Sequence, residues 1–245
     1  MIVQKFGGVA MQNEAMRTYS MQHIQRALRK YGKIVIVVSA IGRSGDPYAT
    51  DSLINLSGAL ASDSASKDLI ASCGELIAAS VFSAELQQFG IQNKIVHGKQ
   101  TGILTKGEFG DAVIASIDTA YMLKVLEDVN CIIIPGFQGM NEAGDVMTLG
   151  RGGSDLTAVA LADALGAIHV EFFKDVPGVL TGDPDVVSTY DKFDFLTFEQ
   201  FLRLLNADNG IIQKRAALLA KEKAIPLYVR GIAHIETGTW ISDHD

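Results

Sequence analysis

Thr148-Leu149-Gly150-Arg151-Gly152-Gly153-Ser154-Asp155 sets three glycines around one arginine and follows them with a serine and an aspartate. The next residues, Leu156 to Leu165, are mostly small and apolar, so a packed helix is predicted to begin where the glycines end. Glycine has no Cβ, and its backbone N–H groups can approach a ligand closely. The first N–H groups of a helix lack intrahelical partners and lie at the positive end of its dipole, where anions bind. Arg151 adds a planar, bidentate donor that suits a carboxylate or a phosphate. Ser154 or Asp155 is expected to cap the helix. The competing reading is a glycine turn, a capped helix and a surface arginine; four special residues in one tight turn favour the anion site. The spacing fits neither a Walker A loop nor a Rossmann G-x-G-x-x-G.

Lys5 lies one residue before Phe6-Gly7-Gly8, at the end of a short apolar run. A lysine there can set a point charge between transferring phosphoryl oxygens, with glycine N–H groups beside it. The alternative is a strand lysine that snorkels to solvent. Glu75 follows Ser72-Cys73-Gly74 and is expected to open an apolar helix. In a first turn it reads as a partner of the helix dipole, and otherwise as a carboxylate for a substrate ammonium. Asp175-Val176-Pro177-Gly178 and Thr181-Gly182-Asp183-Pro184 are two turns in one long loop, and loops of that length in compact domains are usually functional. The five histidines are scattered without His-x-x-x-His or Cys–His spacing, so no protein-built zinc site is expected. No Gly-x-Ser-x-Gly elbow supports a serine hydrolase.

These residues need a scaffold. The 245 residues are 48 % hydrophobic, enough for a large core. The net charge of −7 and the lack of a basic run argue against nucleic-acid or anionic-membrane partners. The N-terminal residues lack a signal-peptide pattern, and no apolar run is read as membrane-spanning. Cys73 and Cys131 read as reduced core thiols of a cytoplasmic protein. Continuous β-branched runs such as Ile34–Val38 and Cys131–Ile134 predict strands buried on both faces. They alternate with helical stretches near 13–30, 51 onward, 74–89, 119–128, 198–205 and 211–223, with a polar break over 62–67. Residues 101–111 are expected to form a hairpin or lid, and 140–145 a turn. The pattern predicts an α/β fold: a mostly parallel central sheet between helical layers, in one domain spanning 1–245. In such sheets ligands sit beyond the carboxyl ends of the strands. Gly7-Gly8, Ser39, Gly136 and Lys174-Asp175 all follow predicted strands.

Taken in order, Lys5 to Gly8, Val37 to Ala40, Gly42 to Asp51, Ser72 to Glu75, Gln100 to Ile103, Gly107 to Asp111, Pro135 to Gly139, Thr148 to Asp155, Lys174 to Gly178, Thr181 to Pro184 and Ile225 to Arg230 resemble the amino acid kinase family, specifically aspartokinase catalytic domains. The resemblance implies a three-layer α/β/α sandwich and transfer of the ATP γ-phosphoryl group, with Mg²⁺, to the side-chain carboxylate of aspartate. It implies that Lys5 bridges the transferring phosphoryl and that Asp155 orients Lys5. Arg151 would take the substrate carboxylate and Glu75 its ammonium, with Ser39, Thr50 and Ser154 completing the pocket. Gly7, Gly8, Gly152, Gly153, Lys174, Asp175 and Asp183 would serve the nucleotide. A homodimer is also implied. The regulatory domains of lysine- or threonine-responsive members have no counterpart in these 245 residues.

The departures cluster on the nucleotide side. Val9 and Ala10 stand where the family usually has Thr-Ser. Asp185 replaces an arginine after Asp183-Pro184, Leu180 replaces an aromatic, and Gly210 falls where the family has a lysine. Each lost charged hydrogen bond is worth about 1.5–3 kcal/mol. Two alternatives therefore stand beside an aspartate kinase: a weakened paralogue acting as a binding or regulatory subunit, and a kinase of the same fold for another small acid.

Overall fold

The computed structural model describes residues 1–56, 58, 63–182, 190–205, 211–233 and 237–243. Asp183, Asp185 and Gly210 lie outside them. Four wholly or largely apolar strands form the centre: β1 (Ile2–Phe6), β2 (Ile34–Val38), β6 (Cys131–Pro135) and β9 (Val170–Lys174). With β3 (Lys94–Ile95), β10 (Phe195–Leu196), β11 (Leu227–Gly231) and β12 (Gly238–Ile241) they make an eight-stranded sheet in the order β10-β12-β11-β9-β1-β2-β6-β3. Every neighbouring pair is parallel except β11–β12. The predicted mostly parallel sheet is present, and its run of buried strands follows from cover on both faces.

Strand alternation sends successive side chains to opposite faces. Ile2, Phe6, Ile34, Ile36 and Val38 pack against α2 (Glu14–Tyr31) and α4 (Ser64–Gln88). Val3, Val35, Val37, Ile132 and Ile134 pack against α5 (Ala120–Asp128), α6 (Gly153–Leu165), α7 (Phe198–Leu204) and α8 (Lys214–Glu222). Lys5 shares the second face with Val3, so it points toward α6. Two shorter helices, α1 (Gly8–Met11) and α3 (Thr50–Leu56), follow the ends of β1 and β2.

A second sheet of four strands has the order β5-β4-β7-β8. It comprises β4 (Ile103–Lys106), β5 (Val113–Ile117), β7 (Gln138–Met140) and β8 (Val146–Thr148). β4 and β5 form the expected hairpin, and the turn over 140–145 connects β7 to β8. β7 and β8 have three residues each, too few for a period-2 pattern to register.

Two sequence expectations change. The polar stretch 62–67 is not a break throughout, because α4 starts at Ser64, where Asp63 caps it by accepting from Ala65 and Ser66 N–H. Glu75 therefore lies in the middle of α4 and does not open a helix. Gly74 sits mid-helix because a Cβ there would come within 2.8 Å of the Ala40 side chain, so the glycine lets α4 approach the loop after β2. By length and composition α4 also qualifies as long and apolar enough to cross a membrane. Its Ala78, Ala79, Phe82 and Leu86 are fully buried against the sheet, which accounts for its apolar composition as a core helix.

Candidate active site

The register brings the strand ends level. Phe6 pairs with Val38 and Val38 with Pro135, while Phe6 also pairs with Phe173. Gly7, Ser39, Gly136 and Lys174 thus emerge side by side at the carboxyl edge. A cavity of about 690 Å³ opens there. Lys5, Gly8, Ser39, Thr50, Glu75, Arg151, Gly152, Gly153 and Ser154 all line it. Gly7, Asp155, Lys174 and Asp175 do not, although each was expected at the site. Gly7 backs the Lys5 ammonium: a Cβ on it would lie 3.4 Å from Lys5 Nζ.

Asp155 is a buried hub beneath the cavity. Its Oδ1 lies 2.8 Å from Lys5 Nζ and its Oδ2 4.0 Å from Lys174 Nζ, and Oδ2 also accepts the Gln213 N–H at 3.1 Å. Burial alone would push its carboxyl up; Lys174, Lys5 and the Gln213 N–H outweigh burial and hold it below the usual carboxylate range. Burial lowers the Lys174 ammonium, with Asp155 opposing that shift and Lys5 adding to it. Lys174 therefore supports Asp155 from behind the cavity. Asp175, half-exposed, pairs with Arg43 from the loop after β2, and Arg43 does line the cavity.

The glycine-rich turn ends in α6 as predicted, but the cap is Gly152, not Ser154 or Asp155. Gly152 has φ +71°, and a Cβ on it would come within 2.4 Å of Gln213 Cγ, so glycine is required twice over. With no capping duty, Ser154 Oγ meets Ser39 Oγ at 2.6 Å and Asp155 reaches Lys5. Arg151 is exposed and forms no ion pair among the described residues.

Glu75 is 3 % exposed. Its Oε1 accepts the Ala40 N–H at 3.1 Å, and its Oε2 has no hydrogen-bond partner among the described residues. Burial pushes its carboxyl up to about 8, against the pull of the Ala40 N–H and Lys5. A half-satisfied buried carboxylate facing a cavity is a ready receptor for a cation.

The cysteines are both free thiols. Burial pushes Cys131 up to about 12, in keeping with a core thiol, whereas Cys73 is only partly buried. Two cavity residues carried no sequence signal of their own. Phe137 has φ +72°, a strained value for a side chain of that size, and lies between β6 and the glycine turn. Asp68 sits in the polar stretch that opens α4.

The amino acid kinase family model matches residues 1–231. The chain belongs to the amino acid kinase family. Over 99 % of its length it is 37 % identical to aspartokinase 1 and 39 % identical to aspartokinase 2 of Bacillus subtilis. It spans about three fifths of those curated relatives, 61 % and 59 % of their lengths. Aspartate kinase from Synechocystis superposes with a TM-score of 0.82 at 32 % identity, over 99 % of this chain and 40 % of that one. UMP kinase from Bacillus anthracis shares the fold, with a TM-score of 0.70 at 16 % identity over 100 % of this chain and 96 % of its own.

Proposed function

We propose that the chain transfers the γ-phosphoryl group of ATP, bound with Mg²⁺, to the side-chain carboxylate of aspartate. The observation that carries this reading is one cavity walled by Lys5, by Arg151 in a glycine turn, and by the half-satisfied Glu75. Arg151 receives the substrate α-carboxylate and Glu75 its ammonium, while Ser39, Thr50 and Ser154 line the space between. The side-chain carboxylate is already anionic and needs no base. It attacks the γ-phosphorus, a new P–O bond forms, and the bond to the β–γ bridging oxygen breaks with its electron pair leaving on ADP. Both reactants are anions, so the protein's task is alignment and charge neutralisation. Lys5, held by Asp155, sets its ammonium against the transferring oxygens. The N–H groups of Gly7, Gly8 and Gly152, together with Asp175 and Asp183, serve the nucleotide, whereas the Gly153 N–H is already donated to the Gly150 carbonyl at 2.9 Å.

Kinship with the two aspartokinases of Bacillus subtilis and the fold match to aspartokinase III of Escherichia coli in complex with aspartate and ADP support this reading. Among the departures, neither Val9 nor Ala10 lines the cavity, and Ala10 packs in the core. The retained Lys5–Asp155 pair, with Nζ 2.8 Å from Oδ1, favours catalysis over a purely regulatory subunit. Calorimetric titration tests the choice. Aspartate and Mg-ATP should each bind, and together they should yield ADP and an acyl phosphate that hydroxylamine traps. Aspartate binding with no Mg-ATP binding would instead establish the regulatory subunit.

Aspartate affinity should also depend on pH in a defined direction. Below about 8 the free protein holds a proton on Glu75 that must leave before an ammonium can pair with it. Affinity is expected to rise about tenfold per pH unit up to that point and then level off. The same raised carboxyl makes the ligand-free fold lose stability as pH rises from about 4.5 to about 8, because only the unfolded chain has released the proton. Glu75→Gln should flatten both profiles; an unaltered slope in affinity would remove Glu75 from the ammonium site.

A further inference from the structure

Asp68 lies two turns before Glu75 on α4, lines the same cavity and is 4 % exposed. Its Oδ2 accepts the Thr148 N–H at 2.6 Å and the Gly110 N–H at 2.9 Å, and its Oδ1 accepts the Thr148 hydroxyl at 2.9 Å. It forms no ion pair among the described residues, so three donors do the work that a cation usually does for a buried carboxylate. Thr148 is the last residue of β8 and stands three residues before Arg151. Gly110 belongs to the β4–β5 hairpin loop, whose Asp111 pairs with Arg215 at 3.0 Å. Arg215 also donates to the Leu149 carbonyl, inside the glycine turn. Seven residues make about two helical turns, so Asp68 and Glu75 share one face of α4. One helix thus grips the arginine turn through Asp68 and presents the ammonium receptor through Glu75.

We propose that Asp68 is a positioning residue that sets the spacing between Arg151 and Glu75, and so the size of amino acid the cavity grips at both ends. This rests on the aspartate reading above. Asp68→Ala should raise the aspartate KM about tenfold and narrow the preference for aspartate over glutamate, with the Mg-ATP KM changed no more than about twofold. Asp68→Asn should restore near wild-type behaviour, because its oxygen still accepts both N–H groups and its amide can donate to the Thr148 hydroxyl. Equal losses in every kinetic parameter, or no rescue by asparagine, would overturn the role and leave only a structural one. Thr148→Val removes one of the three bonds and should show a smaller shift of the same kind if the alanine variant does not fold. Failure of the wild-type chain to use aspartate would sink the substrate assignment; amide exchange then decides the fate of Asp68. Faster exchange over 148–153 in Asp68→Ala, with β1 and β2 unchanged, supports the role, and unchanged exchange over 148–153 refutes it.

Discussion

Lys5→Ala is expected to lower kcat by about three orders of magnitude while aspartate still binds with near wild-type affinity, because removing one preorganised charge from a transferring group typically costs that much. Lys5 is 6 % exposed and is held at 2.8 Å by Asp155, so its ammonium is fixed before the nucleotide arrives. Its place on β1, between β9 and β2, is central to the carboxyl edge of the sheet. The proposed aspartate contacts come from other elements, Arg151 from the glycine turn and Glu75 from α4, and should survive the substitution. Breaking a buried pair usually costs about 3–5 kcal/mol when the remaining charge is left alone. Here Lys174 and the Gln213 N–H still face Asp155, so the cost should fall short of that range. Single-turnover kinetics and aspartate calorimetry on the same sample, with a thermal melt to confirm folding, separate the two effects. Turnover within a few-fold of wild type would show that Lys5 does not touch the transferring group.

Arg151→Ala is expected to act on the other reactant. A charged hydrogen bond contributes about 1.5–3 kcal/mol, and 1.4 kcal/mol is tenfold in affinity. The aspartate KM should therefore rise roughly tenfold to a hundredfold, with the Mg-ATP KM little changed. Arg151 is exposed and holds no ion pair among the described residues, so stability should be unaffected. Arg151→Lys should recover only part of the loss, since an ammonium cannot make the bidentate, planar contact. An unchanged aspartate KM would place the carboxylate-binding group elsewhere in the cavity.

Local pattern was enough to read the scaffold and half of the cavity. β2 and β6 are continuous apolar runs and β1 and β9 are largely apolar, and such runs are stable only when both faces of a parallel sheet are covered. The class of fold followed from them, and so did the edge where Gly7, Ser39 and Lys174 had to emerge. The glycines at 150, 152 and 153 announced a turn into a helix, because few other residues permit that backbone. Which side chain does what at that turn was decided by packing. Gly152 caps α6 through its own positive φ, which leaves Ser154 for Ser39 and Asp155 for Lys5. Glu75 read as a helix opener because the serines, aspartate and lysine before it look like a loop; in the fold, Asp63 caps a longer helix that carries them. Asp68 was invisible for the same reason, being one polar residue in a polar stretch. Its three donors come from residues 42 and 80 positions away in sequence, and no local spacing encodes so distant a pairing. Periodicity and glycine placement are properties of neighbouring residues, so the chain alone determined the sheet and the turn. The pairing of buried charges depends on which elements the core brings together, and only the tertiary structure decided that.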